Sequence, residues 1–261
     1  MEGMPATAKQ REFQRGYLEI GFRSEPFDSA WNLLRASARI YFSNFWFLAA
    51  ITLIVFLPAK LALQGISDWL DVPKGGLAAY LTMDLSDLVL SAFAVPAAIY
   101  GLIERLRTGK PAPLARSLRW GWRQWAKTLW NKFKVEITVT LWGTLFLIPG
   151  VVAMVRLIFT DVIVAIEADK VSAVLERSRD LSRGIGWRIF AVLVPVMIVE
   201  VAGPFLILDA VGGSSASRPV IAIVDSLLSV VGQWSTVIVL LMYLGVVPAA
   251  QPAQSGRGAA R

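Results

Sequence analysis

The chain has 261 residues, 56% of them hydrophobic and 17% charged, with a mean hydropathy of +0.58; a water-soluble domain has about 45–50% apolar and about 25% charged residues, so this composition points to a bilayer. Cysteine and histidine are both absent, which excludes disulfides, thiolate nucleophiles, the usual zinc ligands and the commonest proton carrier near neutrality. The 26 basic residues exceed the 19 acidic ones, giving a net charge of +7, and the placement of that excess decides its meaning.

Residues 1–26 carry charges of both signs and lack the apolar core of about 7–15 residues that marks a cleavable signal; they read as a mobile cytoplasmic tail. A single membrane domain is expected over 27–247. It opens on an amphipathic helix with Trp31, Leu34, Ala38, Tyr41 and Phe45 on one face and Asn32, Arg35, Arg39 and Ser43 on another, and Asp28 or Ser29 can cap its start. A bilayer core of about 30 Å takes about 20 mostly apolar residues. Residues 45–66 supply the first such span, and Lys60 lies near enough to its end to snorkel to the headgroups. The second span is 76–103. A second amphipathic segment follows, with Leu118, Trp122, Trp125, Leu129 and Phe133 on one face and Arg116, Arg119, Arg123 and Lys127 on another, separated at about 100° per residue.

Residues 135–148 and 151–168 read as the third and fourth spans, joined by Pro149-Gly150, a dipeptide that ends one helix and permits a tight turn. The rival is one helix kinked at Pro149, but 135–166 is longer than the usual limit of about 25 residues, which favours a hairpin. A third amphipathic helix turns Val171, Val174, Ser178, Leu181 and Ile185 inward, against Glu176, Arg177, Asp180 and Arg183. Spans five and six are 189–208 and 220–247, and 248–261 reads as a disordered tail. Aligning Trp46 with Trp187 also aligns Ser37 with Ser178 and Leu34 with Leu175, and a third copy begins near Ser117. The expected fold is therefore all-α, with six transmembrane helices, three amphipathic interfacial helices and a possible threefold pseudo-repeat.

Loop charge sets the orientation, because lysine and arginine accumulate on the cytoplasmic side. Of the 26 basic residues, 22 fall before span one, between spans two and three, between four and five, or in the C-terminal tail. Both termini are thus expected in the cytoplasm.

Acidic residues inside the spans are costly and need partners or water. Asp84, Asp87, Asp161, Glu200 and Glu167 fall within or at the ends of spans, and Arg156 is the basic residue nearest the middle of one. Together they form the candidate intramembrane polar site, with the helix-packing reading standing beside the functional one. Asp84 and Asp87 share a helix face but are only two carboxylates, too few for a metal site. Neither a catalytic constellation nor a cofactor motif is present in the sequence, so no catalytic residue and no cofactor is expected.

Residues 27–58, the Ile-Pro-Gly at 148–150, and 151–195 together resemble a superfamily of uncharacterised multi-pass bacterial membrane proteins, which includes the membrane domain of glycerophosphoryl diester phosphodiesterases. The matching positions are Pro149, Gly150, Arg156, Glu167, Ser178, Arg179 and Trp187. The resemblance implies the multi-pass architecture and no activity, since six spans and their flanking helices leave no room for a catalytic barrel of about 250 residues. Arg116, Arg119, Arg123 and Lys127 are the candidate contacts to anionic phospholipid headgroups. Nucleic acid is disfavoured as a partner because the aromatic and basic residues fall on separate faces, where stacking on bases needs them interleaved. The expected role is a non-enzymatic membrane scaffold or lipid-interacting protein. A small transporter built around Arg156 is the alternative, and an intramembrane lipid-modifying enzyme is a more distant one.

Overall fold

A computed structural model describes residues 29–69, 77–110, 112–167, 173–210 and 218–250. Among these residues every regular element is an α-helix: α1 (Ala30–Ser43), α2 (Phe45–Trp69), α3 (Leu77–Thr108), α4 (Leu114–Leu145), α5 (Leu147–Leu157), α6 (Thr160–Ile166), α7 (Val174–Ser182), α8 (Gly186–Ala210) and α9 (Arg218–Ala250). The expected N-terminal tail lies outside the described residues, as does the C-terminal one beyond Ala250, up to which α9 continues.

Among the described residues four stretches are long and apolar enough to cross a membrane: Phe45–Ser67, Asp84–Thr108, Ile148–Ile166 and Pro219–Val246. A fifth arises if α7 and the following Gly186–Ile198, bent by 99° at a short break, form one broken span. The core lies where α2, α3, α6 and α9 meet, around Leu48, Ile99, Ile103, Ile163, Ile238 and Tyr243.

Local chemistry sets the helix ends. Ser29 caps α1, its side chain accepting from the Trp31 N–H at 3.3 Å. Asn44 interrupts the chain before α2, and Arg105 from the end of α3 donates to Ser43 O at 2.9 Å and Asn44 Oδ1 at 2.7 Å, filling carbonyl positions that the helix end leaves open. Gly109 ends α3 at φ +69°, a left-handed position that favours glycine.

The third expected span is not a separate helix. The amphipathic segment and residues 135–145 form one continuous helix, α4, of 32 residues, because nothing between Lys134 and Val135 breaks helical backbone. The chain then reverses at Phe146, which is extended (φ −154°, ψ 127°). Pro149 and Gly150 therefore lie inside the first turns of α5, where proline lacks only a donor that is unbonded in any helix start. The hairpin itself is present: α5 packs back on α4, and Gly150 lies so close to Gly143 that an added Cβ would stand 2.6 Å from its Cα.

The packed face of α4 also differs from the apolar one. Ser117, Trp120, Gly121, Gln124, Thr128 and Asn131 are buried, while Trp122 and Phe133 are exposed. The amphipathic rule for water-soluble proteins buries bulky apolar side chains. Close approach of two helices instead needs small residues at the contact, as where Gly121 meets Phe93 O and Ala97 Cβ, and this leaves the Trp122 and Phe133 rings outside.

Candidate functional site

The closest gathering of charge within the spans is on α2, α3 and α9. Lys60, only 5% exposed, holds its ammonium 2.8 Å from Asp87 Oδ1 and also donates to Asp225 Oδ2, with Asp87 46% and Asp225 33% exposed. The Lys60 ammonium also lies 5.2 Å from the Phe56 ring. Lys60 is turned inward to carboxylates on two neighbouring helices, where the sequence suggested a side chain reaching outward along its own helix. Fully ionised, the cluster carries one positive and two negative charges, and both aspartates are partly exposed at the outside of the bundle.

The sequence-derived polar site is dispersed by the fold. Arg156 is exposed, and among the described residues it makes no ion pair. Its backbone is the part that is held: Arg156 O accepts from Ser178 Oγ at 2.9 Å and Ser182 Oγ at 3.4 Å, and the Phe159 N–H donates to Ser178 Oγ at 3.2 Å. The buried serines of α7 thereby satisfy the backbone groups freed where α5 breaks before α6, which hydrocarbon cannot do. Asp161 instead pairs with Lys132 of α4 at 2.7 Å. Glu167, beyond α6, accepts from the Tyr243 hydroxyl at 2.6 Å and lies 3.8 Å from Arg177 Nε. Asp84 is exposed and the Glu200 side chain lies outside the described residues.

The predicted lipid contacts stay together. Arg116, Arg119, Arg123 and Lys127 are all exposed along one side of α4, and about two turns beyond them Lys134 lies 5.1 Å over the exposed Trp130 ring. Their surroundings are set by packing on α3. Gly121 abuts Phe93 O and Ala97 Cβ, the Trp122 and Phe93 rings are 6.3 Å apart, and Trp125 Nε1 donates to Val89 O at 3.1 Å. Trp120 stacks on Tyr100 at 5.2 Å, and Arg116 hydrogen-bonds the Tyr100 side chain. Rising residue numbers on α4 thus meet falling numbers on α3, so α4 lies antiparallel along the apolar stretch Asp84–Thr108, not across its end.

At the opposite side of the bundle α1 is held by hydrogen bonds to α9. The Tyr41 hydroxyl donates to Val230 O at 3.0 Å and Trp234 Nε1 to Ser37 Oγ at 3.0 Å. Burial pushes the Tyr41 phenol above its ordinary value of 10.0. Comparison with known proteins finds no matching family model, no similar curated protein and no similar solved structure.

Proposed function

We propose that this chain is a non-enzymatic, lipid-interacting membrane protein that gathers anionic phospholipid along α4. The observation that carries this reading is the exposed row Arg116, Arg119, Arg123 and Lys127, flanked by the exposed indoles of Trp122 and Trp130 beside the apolar spans. Arginine and lysine give phosphate oxygens charge-assisted hydrogen bonds, and tryptophan favours the zone where acyl chains meet headgroups. The test is native mass spectrometry of delipidated protein titrated with phosphatidylglycerol or phosphatidylcholine. Phosphatidylglycerol should bind in preference and be lost in Arg119→Gln/Arg123→Gln; equal binding of the two lipids would sink the reading.

We place the protein in a bacterial inner membrane with six spans, α4 providing the third, and with both termini cytoplasmic. Membership of the multi-pass superfamily described above belongs to the same proposal. The threefold repeat is supported by Ser37, Ser117 and Ser178, which are all fully buried. A second reading, a small transporter, is favoured by one observation: the Lys60, Asp87 and Asp225 cluster, which takes the place of Arg156 as the buried charged centre. Cation flux into proteoliposomes that disappears in Lys60→Met would support transport, and its absence from the wild type would leave lipid binding alone.

A further inference from the structure

Helix α4 has three faces where a conventional span has two. At about 100° per residue, Ser117, Gly121, Gln124, Thr128 and Asn131 fall on a buried face, and an apolar face carries the exposed Trp122 and Phe133 beside the half-buried Leu118 and Leu129. The third face, outward again, carries Arg116, Arg119, Arg123, Lys127 and Lys134. Arg116 and Lys134 are 18 residues apart, which is five full turns and about 27 Å, close to the thickness of a bilayer core of about 30 Å.

The depth of this cationic face follows from the contacts with α3. Arg116 lies beside Tyr100, Trp122 beside Phe93 and Trp125 beside Val89, so the part of the row from Arg116 to Arg123 runs along the apolar stretch Asp84–Thr108. Hydrocarbon cannot solvate guanidinium groups at that depth. A second copy of the chain, apposed by two-fold symmetry through the same face, would set arginine against arginine. The occupant that meets both faces at once is anionic and amphiphilic, with a phosphate to set against the basic row and acyl chains to set against Trp122 and Phe133.

We propose that this face is a track along which anionic phospholipid headgroups pass between the two leaflets. The proposal rests on the lipid-binding reading above and extends it from holding lipid to moving it. Arg116, Arg119, Arg123 and Lys127 follow one another at intervals of three and four residues, about 4.5–6 Å along the axis. A phosphate leaving one cation is therefore within reach of the next. Several equivalent sites in series allow entry without trapping, as in any conducting path. The tails remain in the bilayer throughout, so no covalent step and no energy source is required, and movement is bidirectional.

The test uses the full chain in vesicles of phosphatidylcholine and phosphatidylglycerol containing a trace of tail-labelled fluorescent phosphatidylglycerol, with dithionite to bleach the outer leaflet. Vesicles without protein keep the fluorescence of the inner leaflet; vesicles with wild-type protein should lose it. Arg119→Gln/Arg123→Gln should slow that loss about tenfold or more. Arg119→Lys/Arg123→Lys should keep most of it, and Arg183→Gln, at an exposed position after α7, should leave it unchanged. Arg119 and Arg123 are exposed, so folding should survive, and elution as a single species by size-exclusion chromatography checks this. Inner-leaflet fluorescence retained with wild-type protein would overturn the track, as would undiminished loss in the glutamine variant. If phosphatidylglycerol still binds in native mass spectrometry, only the track falls; if it does not, the lipid-binding reading falls with it.

Discussion

Lys60 shows how a single residue is placed by partners distant in sequence. Its position near the end of an apolar run suggests snorkelling, and nothing within that run contradicts this. Asp87 and Asp225 come from other helices, and only packing brings them to its ammonium. Removing the cation leaves two carboxylates facing each other in a low-dielectric setting. Lys60→Met should therefore destabilise the protein by about 2–3 kcal/mol, less than the about 3–5 of a wholly buried pair because both aspartates are partly exposed. Adding Asp87→Asn and Asp225→Asn should recover much of that loss, as thermal unfolding in detergent would show; a triple variant as unstable as Lys60→Met would contradict the ionic account. Tyr41 gives a second check at this scale. Its phenol is pushed above 10.0 by burial, so its contribution is full below the unfolded value and is lost as pH rises through the folded one. Tyr41→Phe should accordingly lose less stability than wild type between neutral and strongly alkaline pH.

At the scale of elements, the apolar runs made most of the helices legible, and the same runs misled about faces. Hydropathy locates α2, α3 and α9 because a span needs a minimum length of greasy sequence. It cannot say which side of α4 packs, since Gly121 and Ser117 seat the helix on its neighbours while Trp122 faces outward. Nor did Pro149-Gly150 mark the reversal itself, which occurs at Phe146. The hairpin instead depends on close approach of α5 to α4, and its two glycines are not equivalent. A Cβ on Gly150 would meet backbone of Gly143 at 2.6 Å, whereas one on Gly143 meets nothing within 4 Å. Gly150→Ala should cost about 1–3 kcal/mol through forced separation of the helices. Gly143→Ala should be neutral or stabilising by up to about 1 kcal/mol, from helix propensity. Equal effects in a thermal or denaturant series would mean that the helices do not meet there.

For the whole molecule, the candidate site was legible as a composition and not as an arrangement. Sequence shows too many acids for the bases within the spans, yet the fold distributes them to Lys60, Lys132, Tyr243 and Arg177 on four different helices or breaks. Arg156, central by position, instead marks a broken helix whose backbone is held by Ser178. The basic row of α4 was visible from its spacing, but its depth depends on α3 lying alongside. That depth gives a test independent of lipid transport. Ala126 on α4 and Ile54 on α2 are both exposed on the outside of the bundle; Ala126 follows Trp125, which bonds to Val89 inside the apolar stretch Asp84–Thr108, and Ile54 lies near the middle of Phe45–Ser67. The chain contains no cysteine, so Ala126→Cys and Ile54→Cys carry a single thiol each. A face that admits headgroups also admits water, and only water-exposed thiols ionise to the reactive thiolate. In sealed proteoliposomes Ala126→Cys should react with a polar maleimide far faster than Ile54→Cys, and phosphatidylglycerol should slow it. Equal protection of both thiols would place hydrocarbon over α4 and refute a hydrated face at that depth.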